Sequence, residues 1–238
     1  MTVPLSIGAL WRETFVAARA GMPLYLPVAA AFVLLPGVVI DLFGPAMPKT
    51  PAGLTPNLIL VGLALPSLIG LVAQAAIVRL AIDQRRGTAR SVGEALLMAL
   101  RLWPMLVITL LLVAVPIAAG MMLLVVPGIY VAARLVLAMP LVIDAAADPI
   151  AAVRRSWTLS DGNGWRIFAF TVLWAGWFLT LSVVSATIGS GVAALLGSIG
   201  AGPAGAVVAS VIGGCVGALY TVFNAVGVAL VYLRLRAA

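Results

Sequence analysis

An all-α, polytopic membrane fold with six transmembrane helices is what this sequence predicts, and three observations carry it. Of 238 residues, 64% are apolar and only 9% charged, whereas soluble domains run roughly 45–50% apolar and about 25% charged. The charges are also unevenly spread: 67 residues between Arg166 and Arg234 contain none, and 50–78 and 102–133 are likewise uncharged. As helix, such a 67-residue stretch extends about 100 Å against a hydrocarbon core of about 30 Å, so it must cross a bilayer more than once. Third, the arginines sort to one side of the expected spans. The whole chain, 1–238, reads as a single integral membrane domain.

The same composition narrows the chemistry. There is no histidine, so imidazole acids, bases and metal ligands are absent, and Cys215 stands alone. Neither an intrachain disulfide nor a thiolate zinc cluster can be built from one cysteine. No phosphate-binding Walker loop and no nucleophile elbow occurs. The expectation is a protein that is not an enzyme, with no catalytic residues, no cofactor and no metal.

Along the chain, residues 5–20 set Leu5, Leu10, Trp11 and Phe15 against Arg12, Glu13 and Arg19. This is an amphipathic segment too charged to span, either lying at the interface or leading in from the cytosol. Span one is expected at about 23–43, followed by a loop with Pro45, Pro48, Pro51, Pro56 and the single lysine, Lys49. Span two covers about 57–82 and ends in Asp83-Gln84-Arg85-Arg86-Gly87. Ser91-Val92-Gly93-Glu94 is a capping box, opening a short helix over 91–102. Residues 104–143 hold one charge, Arg134, and are long enough for two crossings, expected at about 104–126 and 129–143. Their break lies at Pro127-Gly128 or, alternatively, near Gly120 with Pro127 as a kink. Asp148-Pro149 starts a third short helix, 149–160, by pairing an N-cap with proline at the first helical position. Span five is expected at about 165–188. A glycine-rich link through Gly189, Gly191, Gly197, Gly200 and Gly202 then leads to span six, about 206–233.

With both termini inside, twelve of the fourteen basic residues fall on the cytoplasmic side, Lys49 falls outside and Arg134 lies in a span. The positive-inside rule fixes that orientation. The net charge of +7 is then topology, with attraction to anionic lipid headgroups, and needs no nucleic acid. Thirteen arginines against one lysine match a GC-rich bacterial genome by association. Helix starts at Ser6, Ser91 and Asp148 each precede two spans, giving three hairpins, each with a short cytoplasmic amphipathic helix before it. Either a threefold repeat or the arithmetic of any six-span chain produces that pattern.

Arg134 is the candidate anion or headgroup contact, because a charge within a span is costly. A Pro127 break places it about 9 Å inside the outer end of span four, with Asp41 as candidate counter-ion and Tyr130 one turn away. The alternative is that it snorkels or pins the bundle. Gln74 and Asn224 are in-span amides that bridge helices or, as the minority reading, line a solute path. Gly213 and Gly217, with Ala209 and Ser210, form a small-residue face for a helix contact, internal or between protomers. Trp11, Trp103, Trp157 and Trp165 are expected at the inner interface, and Trp174 and Trp177 deeper.

Val126-Pro127-Gly128-Ile129-Tyr130 with Arg134, then Ala152-Val153-Arg154-Arg155-Ser156-Trp157-x-Leu159 and Gly164-Trp165-Arg166, resemble the membrane domain of glycerophosphoryl diester phosphodiesterases. Stand-alone bacterial inner-membrane proteins share that domain. In fused members the resemblance assigns hydrolysis to a separate soluble barrel with histidines and a carboxylate-bound metal, and this chain has neither. What it implies is a membrane module that anchors, regulates or presents lipid-related material. Arg154, Arg155, Trp157 and Arg166 join the candidate headgroup contacts on this basis and on their interfacial helix. The expected function is therefore non-catalytic, in lipid or envelope homeostasis or as an accessory subunit. Its expected partners are anionic lipid and either a protein partner or a second copy. A small-solute or ion transporter is the alternative, favoured by the proline-broken spans.

Overall fold

The structure, a computed structural model, describes residues 6–45, 53, 55–88 and 90–236. Lys49, Pro48 and Pro51 of the expected outer loop lie outside the described residues. Seven helical elements follow in order: α1 Ile7–Phe43, α2 Pro56–Arg85, α3 Val92–Leu123, α4 Val125–Ala145, α5 Pro149–Leu159, α6 Gly164–Ser198 and α7 Gly202–Arg236. No strand occurs among the described residues. All but α5 are long and apolar enough to cross a membrane, and the six correspond in order to the six expected spans.

Their boundaries differ from expectation in instructive ways. The expected short helices 5–20 and 91–102 are not separate: residues 7–20 and 92–102 are the opening turns of α1 and α3, and only α5 stands alone. Both helices continue through proline, Pro104 inside α3 and Pro23 and Pro27 inside α1, which spanning helices tolerate because their neighbours satisfy the freed groups. The capping box forms as expected, Glu94 N–H donating to Ser91 Oγ at 3.2 Å and Ser91 N–H to Glu94 Oε2 at 3.0 Å. Asp148 likewise accepts from Ile150 N and Ala151 N.

The α3–α4 turn falls at Leu124, between the two expected break points. Pro127 is the third residue of α4, where its missing amide is one of the four a helix leaves unpaired anyway. Gly120 and Gly128 instead make the tight turn possible, since a Cβ on Gly120 would stand 2.9 Å from the Gly128 Cα. α4 is itself interrupted, with α-helix over Val125–Leu135 and Ala138–Ala145. The glycine-rich link is also mostly helical. α6 runs on to Ser198, and Gly200, at φ +82°, makes the turn.

Those glycines act in packing. A Cβ on Gly189 would meet Ala209 Cα at 3.3 Å, and one on Gly205 would meet Ala193 Cα at 2.8 Å. α6 and α7 therefore lie antiparallel and almost backbone to backbone, with the Phe178 and Tyr220 rings 3.8 Å apart. In lipid, helices associate through such close contact because hydrocarbon offers little hydrophobic drive. α7 is central and touches α1, α2 and α6. Its Gly214 meets Leu34 and Val38, and Gly217 meets Val33, whereas Gly213 opens onto a groove with α6.

Burial is concentrated at one end. Most of Leu71–Asp83 in α2 and of Ala225–Leu235 in α7 is buried. Toward the opposite end, large apolar side chains are bare: Val115 70%, Leu179 64% and Leu195 70% exposed. Soluble surfaces do not carry contiguous apolar area of this extent.

Candidate functional site

The tight end of the bundle is also its charged end. α1 brings Glu13 there, α2 Arg79, Asp83 and Arg85, the following link Arg86 and Arg90, α4 Asp144, and α7 Tyr232, Arg234 and Arg236. Asp144 is 1% exposed at its side chain. It accepts a two-pronged bond from Arg86 (2.6 and 2.7 Å), one from Arg79 (3.4 Å) and one from Tyr232 Oη (2.8 Å), and it pairs with Arg236. Asp83, 4% exposed, takes Arg79 Nε at 2.9 Å and Arg90 Nε at 2.6 Å. Glu13 takes Arg85 at 2.8 Å and also Arg234. The hydrogen bond to Asp144 holds the Arg86 guanidinium above its ordinary pKa.

Three carboxylates, from α1, α2 and α4, thus hold six arginines from α2, α7 and the link after α2. Removing water from a carboxylate is costly, and only several well-placed donors offset it. Sequence reasoning did not single out Glu13, Asp83 or Asp144. A signal was present: Glu13 and Asp83 stand beside Arg12 and Arg85-Arg86 in a chain with seven acidic residues against fourteen basic ones.

Arg134 sits elsewhere than expected. It is 6% exposed and lies against the link between α5 and α6, at the end of α6 that pairs with the arginine end of α7. Its Nη2 donates to Asp161 Oδ1 at 2.5 Å and its Nη1 to the Ser160 carbonyl at 3.3 Å. The guanidinium lies over the Trp157 ring, 4.5 Å from its centroid. Its own carbonyl accepts from Ser156 Oγ and Ser160 Oγ at 2.8 and 3.3 Å. Asp41, expected as counter-ion, is exposed near the far end of α1 and does not pair with Arg134. The reason is position: Arg134 lies at the α5–α6 link, whereas Asp41 lies in the last two turns of α1. Tyr130 packs its ring 5.0 Å from that of Trp165, and a Cβ on Gly164 would stand 2.9 Å from Tyr130 Oη. The three segments behind the family resemblance therefore meet around Arg134.

α5 is held by its inner side: Ala152, Ser156 and Ser160 are buried. Its outer side presents Arg154, Arg155 and Trp157, the last 42% exposed, and Trp165 and Arg166 follow, Trp165 at 67%. Arg154 and Arg155 have no ion-pair partner among the described residues, and Arg166 bonds only the Asn163 side chain. Beside α5, Arg155, Thr158, Tyr232 and Arg236 line a hollow of about 190 Å³.

Of the remaining candidates, Gln74 of α2 and Asn224 of α7 line one crevice, and neither amide hydrogen-bonds another described residue. Trp11 is not with Trp165: it joins Trp174 (5.1 Å) and Trp177 (6.2 Å) in an aromatic cluster with Phe15 and Phe223. Comparison with protein-family models, curated proteins and solved structures found no match to this chain. Fold and site define an all-helical chain with six helices long and apolar enough to cross a membrane, the make-up of a multi-pass membrane protein.

Proposed function

We propose that this chain is a non-catalytic, multi-pass protein of the bacterial inner membrane that holds anionic lipid headgroups at its charged end. That end, with both termini, is cytoplasmic on this reading. α5 lies in the interface as an amphipathic helix, and the protein serves lipid or envelope homeostasis or acts as an accessory membrane subunit. One observation carries it. The carboxylates of the charged end are consumed by the bundle's own arginines, which leaves Arg154 and Arg155 exposed and unpaired beside Trp157 and a hollow that Arg236 also lines. Guanidinium groups match phosphate oxygens in pairs, and indoles favour the headgroup level. The resemblance to the phosphodiesterase membrane domain supports the same reading, since α5 carries its arginine-rich segment 152–159.

Each arginine near an anionic surface contributes about 1 kcal/mol. Arg154→Gln/Arg155→Gln should therefore lower anionic-lipid enrichment by roughly 30-fold, the equivalent of about 2 kcal/mol at low salt. Native mass spectrometry of protein released from nanodiscs of mixed phosphatidylglycerol and phosphatidylcholine reads this directly. Equal lipid composition around wild type and variant sinks the proposal. A small-solute or ion pathway is the second reading, favoured by the two amides on one crevice. Against it, no carboxylate lines that crevice to couple transport to protons.

A further inference from the structure

Between α1, α2, α3, α4 and α7 the bundle leaves a crevice of about 410 Å³, within the range of roughly 300–1,000 Å³ of small-molecule sites. Most of its wall is apolar, Val33, Leu110 and Met139 among it, and no charged side chain lines it. Its polar groups are Ser67, Gln74, Thr221 and Asn224. The Thr221 hydroxyl donates back to Gly217 O within its own helix. The Gln74 and Asn224 amides have no partner among the described residues.

A side-chain amide offers two N–H donors and a carbonyl acceptor. Within a span there is no bulk water to satisfy them, so an empty apolar crevice is a poor place for two such groups on different helices. Asn224 also borders a smaller void of about 80 Å³ beside Trp174, whose indole N–H is buried without a partner. Unpaired polar groups thus line the crevice and the void next to it, with Asn224 common to both.

The backbone around it is unusual as well. α1 carries a π turn over Ala30–Leu34 and α2 one over Leu60–Ala64, closed by Leu35 N–H to Ala30 O and Leu65 N–H to Leu60 O. Each turn runs into a Leu-Pro pair, Leu35-Pro36 and Leu65-Pro66. Prolines at 36 and 66 offer no amide to Phe32 O or Gly62 O, and the widened turn is the local answer. Val33 lies in the first π turn and Ser67 three residues past the second, and both line the crevice. Such turns recur at functional sites.

We propose that this crevice is a binding site for a neutral amphipathic lipid, whose ester or hydroxyl groups bond the Gln74 and Asn224 amides while its chain lies along the apolar wall. The occupant is uncharged because no counter-ion faces the space. It is lipid-soluble because all five walls are spanning helices. The site is separate from the charged end and does not depend on the anionic-lipid reading.

The test uses full-length protein in nanodiscs carrying a diacylglycerol with a photoactivatable diazirine chain. Labelled peptides are mapped by mass spectrometry. Labelling should concentrate on 67–74, 132–139 and 221–228, and fall at least tenfold in Gln74→Leu/Asn224→Leu. It should fall equally in Val113→Phe, which fills the crevice and leaves both amides in place. Gel filtration and the Tm of each variant verify the fold, and Val113→Phe carries the comparison if the double variant does not assemble. Arg154→Gln/Arg155→Gln should label like wild type, which separates this site from the charged end. Labelling that is unchanged in the crevice variants, or that spreads over outward residues such as Leu111 and Val115, overturns the proposal. So does reconstituted wild type that passes ions or small solutes with a flux abolished by Asn224→Leu, because the crevice is then a water-filled path.

Discussion

A carboxylate as buried as that of Asp144, touched by Arg79, Arg86, Arg236 and Tyr232, has exchanged its water for donors fixed by the fold. Asp144→Asn removes the charge and keeps the shape, leaving three guanidiniums facing a neutral amide. Loss of one partner from a buried pair costs about 3–5 kcal/mol, and the low end applies because Arg86 and Arg236 remain partly exposed. The expected outcome is a Tm drop of several degrees in detergent. Asp161 is 69% exposed, so Asp161→Asn should cost below about 1 kcal/mol. Equal Tm losses for the two variants would contradict the network. Arg134, the partner of Asp161, is legible in the sequence as the one charge in an apolar run. Its role was not visible there, since Ser160 and Asp161 are its neighbours only in space.

Among the elements, α5 and the α3–α4 turn show how single contacts set geometry. α5 is an 11-residue helix, too short to be stable alone in water, and Arg134 ties both its last turn and the following link to α4. Arg134→Gln loses the charge-assisted bond to Asp161 and the stacking on Trp157. That is worth about 2 kcal/mol, so amide exchange over 149–163 should rise roughly 30-fold while α6 and α7 stay protected. Unchanged exchange in that segment would show that α5 is held by something else. At the turn, Gly120→Ala puts a methyl 2.9 Å from the Gly128 Cα and should cost about 1–3 kcal/mol by overpacking. Gly191→Ala, where nothing stands within 4 Å, is the matched control and should leave the Tm at or above wild type. Such differences are not legible in the chain, where Gly189, which meets Ala209, and Gly191 and Gly197, which meet nothing within 4 Å, stand alike in one glycine-rich link. Helix caps were legible, because Ser91, Glu94 and Asp148 act on amides within three residues of themselves.

For the whole molecule, a tight charged end and an apolar end with bare side chains give it two different environments to satisfy. Raising ionic strength should weaken anionic-lipid enrichment in wild type and leave the Tm nearly unchanged. Headgroup attraction is exposed and screened, whereas the Asp83 and Asp144 carboxylates are enclosed and their pairs are screened less. Lipid analysis and thermal unfolding across a salt series measure both, and a Tm that falls in step with lipid loss would show that bound lipid holds the bundle together. Membrane class, the number of long apolar helices and their order were determined by the sequence itself. Transfer of an apolar segment out of water depends on the composition of that segment alone and needs no knowledge of its neighbours. Which carboxylate serves which arginine, where α3 turns back, and that Gln74 and Asn224 share one crevice were decided only by the tertiary structure. Those outcomes join residues as distant as Arg234 and Glu13, 221 apart in the chain, and their energies depend on distances that no local pattern encodes.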